Sequence, residues 1–286
     1  MIAAIISKAE SDCKSGFSIG GHLLSNLSYA DDIAGINQSP KDLQAFLDCI
    51  VKYSAEVGLF LNISKTECRS TDQKSPLILT IDGKQIKQVS LFAYLGHNLS
   101  CTNDGTALKH RIGLGWTAFK KNKVFLTSKR VLYAIKAKVY KIYVRPVVLY
   151  GLECVNWTEK LEQQIETFQN HIMRLMTNKR LTDHTKIEEQ LRITTLNPIM
   201  STIKSKVLKL YGHVKRSEVG LSRQCLEGMV EGKRNRGRPQ KLWRDKVYKW
   251  SKMDLNQLKS ATKDRNLWKD ISHVSAQSAI GGGSDS

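Results

Sequence analysis

The stretch LSYADDIAG, residues 27–35, sets two adjacent carboxylates, Asp31 and Asp32, inside an otherwise apolar run. Like charges side by side repel, and neither belongs in a core unless something offsets it. Leu23 to Tyr29 reads as one strand and Ile33 to Ile36 as a second, so the acidic break between them is a hairpin signal. The pair would then sit at a tip, facing out of the sheet. That position admits two readings. One is a solvated turn. The other is a Mg²⁺ site, since Mg²⁺ takes hard oxygen ligands and is often held by one or two carboxylates plus substrate phosphates.

Outward from the hairpin, NQSPKDLQAFLDCIVKYSAEVG (37–58) predicts a helix. Ser39 suits the N-cap, Pro40 the first turn and Asp42 a capping box, with Gly58 stopping the helix. Leu43, Phe46, Leu47, Ile50 and Val57 share one face. LFLNISKT (59–66) alternates apolar with polar and predicts a half-buried strand. Two β-type runs flank Asp82-Gly83, a strong two-residue turn, and 90–100 is a further extended piece closing on Gly96.

From Asn103 on, helices with basic outer faces are expected. The first runs from Ala107 to Leu126 with Lys109, Arg111, Lys120, Lys121 and Lys123 outside. Ser128 caps a second through Tyr143, which Pro146 bends or ends. Thr158 opens a third, with Leu161, Ile165, Phe168, Ile172 and Leu175 inward, and Asn197-Pro198 starts another, with Ile203, Val207 and Leu210 inside. After the polar, basic EGKRNRGRPQK (231–241), two short helices carry Trp243, Val247 and Trp250, then Leu258, Leu267, Trp268 and Ile271. These tryptophans have helical spacing and read as core.

The net charge of +19 is unevenly placed. Residues 1–102 hold 9 Lys+Arg against 10 Asp+Glu, whereas 103–286 hold 36 against 16. Such asymmetry suggests a nucleic acid or an anionic surface as partner. No run approaches the ~18 apolar residues of a membrane span. The start, MIAAIISKAESDCKSG, lacks a basic leader, so no signal peptide is expected. The six cysteines are scattered, with no CxxC pair and no disulfide framework, which suits a reduced intracellular compartment. His171, His184 and His213 lack ligand partners at zinc spacing.

YADD (29–32), the capped helix, GLFLNISKTEC (58–68) and LFAYLG (91–96) resemble consecutive motifs of reverse transcriptases from non-long-terminal-repeat (LINE-type) retrotransposons. The likeness continues through RIGLGWTAF (111–119), VYKIYVRPVVLYGLECVNW (139–157), YGHVKR (211–216), GRPQKLWRD (237–245) and DRNLWKDI (264–271). The resemblance implies an α+β fold: a partial polymerase palm over 1–102, a thumb-like helical domain over 103–195, a basic helical C-terminal region over 196–274 and a flexible tail over 275–286. It implies an RNA-directed DNA polymerase chemistry in which two Mg²⁺ ions, about 3.5–4 Å apart, stabilise the attacking and leaving oxygens. By the same resemblance Asp31 is the direct ligand and Asp32 a supporting one. Tyr29 packs under a primer or template base, and Phe92, Tyr94 and Gly96 belong to a primer grip. Lys65 is either a charge donor near pyrophosphate or a solvated strand-end lysine. The implied partners are an RNA template and a DNA primer or target DNA, with no membrane, in a nuclear more than a cytoplasmic setting.

One departure matters. The family supplies a further catalytic carboxylate from a strand far upstream, and here 30 residues precede Asp31. Asp12 is the candidate acid on offer there that is not a neighbour, in a setting that reads as a loop. The expectation is therefore a C-terminal piece, without fingers, that does not polymerise alone. The alternative is a non-catalytic nucleic-acid-binding protein derived from a retroelement. Lys233, Arg234, Arg236, Arg238 and Lys241 form its basic arm; Arg236 to Pro239 spell RGRP, which is either an AT-hook core for narrow minor grooves or a basic linker.

Overall fold

Ile2, Ile5, Ile6, Ala9 and Cys13 recur at helical spacing, and in the computed structural model they line the inner face of a helix, α1 (Ile2–Cys13). The structure describes residues 1–72, 75–99, 104–217, 220–227 and 242–277. They form two compact units. One holds 1–102 with a segment from 219 to 236, the other 103–218 with 237–286.

In the first unit, α1 is followed by β1 (Phe17–Ile19) and β2 (His22–Leu24), then by β3 (Asn26–Tyr29) and β4 (Asp32–Gly35). Each pair is an antiparallel hairpin. The strand expected over 23–29 is thus divided at Ser25. The Ser25 side chain is buried and donates to Glu10 Oε1 at 2.6 Å, so the chain turns in toward α1 there. Asp12, expected in a loop, lies in the last turn of α1 instead.

The helix α2 (Pro40–Glu56) starts at Ser39, whose hydroxyl accepts from the Lys41 amide at 3.2 Å. It buries two faces rather than one. Phe46, Ile50 and Tyr53 pack on Ile5, Ile6 and Ala9 of α1. Leu43, Leu47 and Val51 cover a second cluster of Cys68, Leu77, Leu79, Ile81 and Ile86. Val57, expected on the inner face, follows the helix end and is exposed.

Residues 59–66 are not a strand. Asn62 Oδ1 accepts from Ser64 Oγ and the Lys65 amide, and its carbonyl accepts from Thr66, so the chain closes a local turn. An Asn side chain competes with ladder hydrogen bonds in this way, and the alternation of apolar residues could not reveal it. Short strands follow: β5 (Glu67–Cys68), β6 (Thr80–Ile81), β7 (Lys84–Gln85), β8 (Lys87–Gln88), β9 (Phe92–Tyr94) and β10 (His97–Leu99). β5 pairs with β8 in parallel; β6–β7 and β9–β10 are hairpins. Both hairpin turns, Asp82-Gly83 and Leu95-Gly96, have two residues at positive φ, the geometry that matches strand twist. Helix and strand are mixed, as an α+β chain requires, with the strands in separate two-stranded pairs.

The second unit is helical. The single helix expected over 107–126 is two, α3 (Asp104–Lys121) and α4 (Lys123–Thr127), because Asn122 leaves helical dihedrals and its side-chain Nδ2 donates to Ala118 O at 3.0 Å. Ser128 does not cap the next helix. Its hydroxyl accepts from Arg130 N in a local turn, and α5 (Tyr133–Val139) begins later. Before Pro146 the helix widens into a π turn (Tyr140–Val144) and resumes as α6 (Arg145–Leu149). A wide turn accommodates the missing proline N–H and its bulky ring without ending the helix.

α7 (Glu159–Thr177) starts at Thr158, whose hydroxyl accepts from Leu161 N. Leu161, Ile165, Phe168 and Ile172 are buried as expected, with Met173 and Met176 beside them, while Leu175 is half-buried. Then come α8 (Ile187–Thr194) and α9 (Ile199–Arg216), which buries Ile203, Val207, Leu208 and Tyr211. The short helix α10 (Leu221–Glu227) belongs to the first unit. The last helices are three, not two: α11 (Trp243–Ser251), α12 (Leu255–Ala261) and α13 (Arg265–Gln277). Trp250 and Trp268 are buried, while Leu267 is exposed. Trp268 lies against Gly212 of α9 and donates from Nε1 to Leu208 O at 2.7 Å.

Candidate functional site

Tyr29 pairs with Asp32 across β3–β4, which leaves Ala30 and Asp31 as a two-residue turn. Tyr29, Asp31 and Asp32 are all exposed, with Tyr29 at 67%. Ala30 adopts φ 54°, a left-handed conformation that costs a residue with a Cβ about 1–2 kcal/mol. Strain of this kind at an acidic tip gathers where the surrounding structure over-determines a geometry.

Three contacts position that hairpin. Glu10 accepts from Ser25 Oγ at 2.6 Å and from Asn26 Nδ2 at 2.7 Å, tying the start of β3 to α1. Ile36 N donates to Ser25 O at 2.7 Å, extending the pairing beyond β4. The Tyr94 hydroxyl donates to Leu27 O at 3.1 Å. Tyr94 and Phe92 lie on β9, and Gly96 closes its turn at φ 71°. The 92–96 hairpin and the acidic hairpin are therefore joined directly, although 67 residues separate the bonded pair. Glu10 was not anticipated as a positioning residue. The apolar spacing of α1 was the signal for it.

Lys65 lies in the Asn62 turn with an exposed side chain, rather than at a strand end. Asp12 accepts a hydrogen bond from the Tyr53 hydroxyl, which, with burial, pushes the phenol up to about 12. Among the described residues no group of three or more His, Cys, Asp or Glu side chains could hold a metal ion. Two exposed carboxylates fit one Mg²⁺ shared with phosphate oxygens; they do not by themselves supply a two-ion centre.

The basic surface lies in the second unit. Lys109, Lys120, Lys121, Lys123, Lys129, Arg130 and Lys138 are exposed. Several other cations have partners within the same unit. Arg111, expected on an outer face, is buried with its guanidinium 4.5 Å from the Tyr150 ring. Arg145 is buried and donates to Asn197 O, Pro198 O and Thr202 Oγ1. Lys206 pairs with Glu153, Lys246 with Glu162 and Lys249 with Glu159. The arm of Lys233, Arg234, Arg236, Arg238 and Lys241 lies outside the described residues.

Among the described residues no helix is long and apolar enough to cross a membrane. No family model matches the chain, and no solved structure matches it. The chain is 25% identical over 214 residues to an uncharacterized transposon-derived protein of Caenorhabditis elegans, covering 71% of this chain and 75% of the relative. That likeness points to a transposon origin.

Proposed function

We propose that this chain is a piece of a LINE-type reverse transcriptase that binds nucleic acid through its helical unit and does not carry out templated synthesis alone. The observation that carries the reading is the Tyr94–Leu27 hydrogen bond. It joins the acidic hairpin to the 92–96 hairpin, the two parts that a primer terminus would need side by side. Asp31 and Asp32 would hold a Mg²⁺ whose chemistry is to neutralise phosphate charge. Tyr29, exposed next to them, offers a ring on which a base stacks, worth about 1–3 kcal/mol per base. Tyr94 and Glu10 keep the tip in place. No third acidic group joins the pair among the described residues, which is the reason for expecting no polymerisation.

The alternative, a non-catalytic nucleic-acid-binding protein of retroelement origin, is favoured by the concentration of charge in 103–286, which needs neither aspartate. One experiment separates the two. Fluorescence anisotropy with a labelled RNA–DNA primer–template, titrated with salt, should give log K falling linearly, with a slope of roughly −0.9 per phosphate neutralised on duplex. A Mg²⁺-dependent increment in affinity that Asp31→Ala removes supports the polymerase-derived reading. Binding indifferent to Mg²⁺ and to Asp31 supports the alternative. A flat salt response overturns both, and primer extension by the unmodified chain overturns the expected inactivity.

A further inference from the structure

Neither reading uses Cys13 or Cys49, two thiols that the fold brings into contact. Cys13 ends α1 and Cys49 lies in the body of α2, 36 residues on, yet their Sγ atoms are 2.9 Å apart. Both side chains are half-buried. The helices around them are firmly registered. Lys8 pairs with Glu56 at 3.0 Å, its ammonium lies 4.3 Å from the Tyr53 ring, and Tyr53 donates to Asp12. Sequence spacing hid this pair, because a CxxC pattern records only neighbours along one turn.

We infer that Cys13 and Cys49 form a reversible disulfide that locks α1 onto α2. Bond formation requires the sulfurs to approach by less than about 1 Å. With a low-molecular-weight disulfide such as oxidised glutathione as acceptor, one protein thiolate attacks a glutathione sulfur and releases a glutathione thiolate. The second protein thiolate then attacks the protein sulfur of the mixed disulfide and releases the other glutathione. Two electrons pass to glutathione, and the two thiol protons end on the two molecules released. The bond closes a loop from 13 to 49 that contains the whole acidic hairpin, so oxidation restrains the tip without touching it.

Burial and the Cys49 contact, with Asp12 and Asp48 nearby, push the Cys13 thiol up to about 12. Attack by the Cys13 thiolate is therefore slow near neutrality and speeds up as pH rises.

The test uses the full chain, incubated with oxidised glutathione, alkylated and mapped by peptide mass spectrometry. Two of the six thiols should be lost, with a linked peptide joining Cys13 to Cys49 that dithiothreitol reverses. All five tryptophans lie in the second unit, so the first unit's melting is the calorimetric transition silent to tryptophan fluorescence. It should rise by roughly 10 °C on oxidation. Retention of both thiols, arrest at glutathione adducts, links through Cys68, Cys101, Cys154 or Cys225 instead, or a linked protein whose transition does not rise would each overturn the inference.

Discussion

Gly212→Ala is the sharpest probe of the helical unit. A Cβ on Gly212 would fall 2.2 Å from both Cδ1 and Nε1 of Trp268. Ordinary contact begins at about 3.4 Å, so α9 and α13 must part by about 1.2 Å or the indole must leave its rotamer. Either response threatens the Trp268 Nε1 bond to Leu208 O, 2.7 Å long, and the packing of a ring that is 2% exposed. Overpacking costs about 1–3 kcal/mol, and a buried donor left unmade costs a further 1–3 kcal/mol. Against this stands the helix-propensity gain of Ala over Gly, at most about 1 kcal/mol. The expected net loss is about 2–4 kcal/mol. Urea unfolding followed by tryptophan fluorescence reads the second unit alone, since every tryptophan lies there. Gly113→Ala is the internal control. Among the described residues nothing lies within 4 Å of the added atom, and the change should stabilise by about 0.5–1 kcal/mol. If Gly212→Ala behaves like Gly113→Ala, the close approach of α9 to Trp268 is wrong.

Gly115→Ala should also destabilise the second unit, because its Cβ would meet Val148 Cγ2 at 2.2 Å; an unchanged urea midpoint would count against the packing of α3 on α6. Ala30→Gly should slow amide exchange across β3–β4, as it removes about 1 kcal/mol of left-handed strain at the tip; faster exchange would contradict the turn geometry. Tyr140→Phe should stabilise by about 1 kcal/mol, since the Tyr140 hydroxyl is buried with no hydrogen-bond partner among the described residues. Burial raises that phenol to about 12, so the native state holds its proton while the unfolded chain ionises near 10; stability should fall from about pH 10 upward in the wild type and less in the variant. Lys136 is fully buried, with Nζ donating to Met176 O at 2.7 Å near the C-terminal end of α7. Desolvation lowers its pKa, so the folded state releases the proton first and stability should rise with pH up to the ordinary lysine value of 10.5; Lys136→Met should flatten that rise, and an unchanged profile would refute the assignment.

Features that rest on neighbours along the chain can be read without the fold. The acidic turn at Ala30-Asp31, the Asp82-Gly83 hairpin and the starts of α2 at Ser39 and α7 at Thr158 are short-range matters of dihedral preference and capping. Each was legible from a few residues. The same local chemistry was misread where a side chain turned back on its own backbone, as Asn62, Asn122 and Ser128 do. Which polar groups are used up inside depends on contacts between elements far apart in the chain. Arg111 reads as an outer-face cation, and its burial under Tyr150 depends on a ring that arrives from the turn after α6. The Tyr94–Leu27 bond and the Cys13–Cys49 contact join residues 67 and 36 positions apart. Gly212 reads as a weak point in a helix, and it is there because an indole from α13 occupies the space a side chain would need. Periodicity identifies the face a residue lies on. What stands opposite that face is set by packing, and packing is a property of the folded chain.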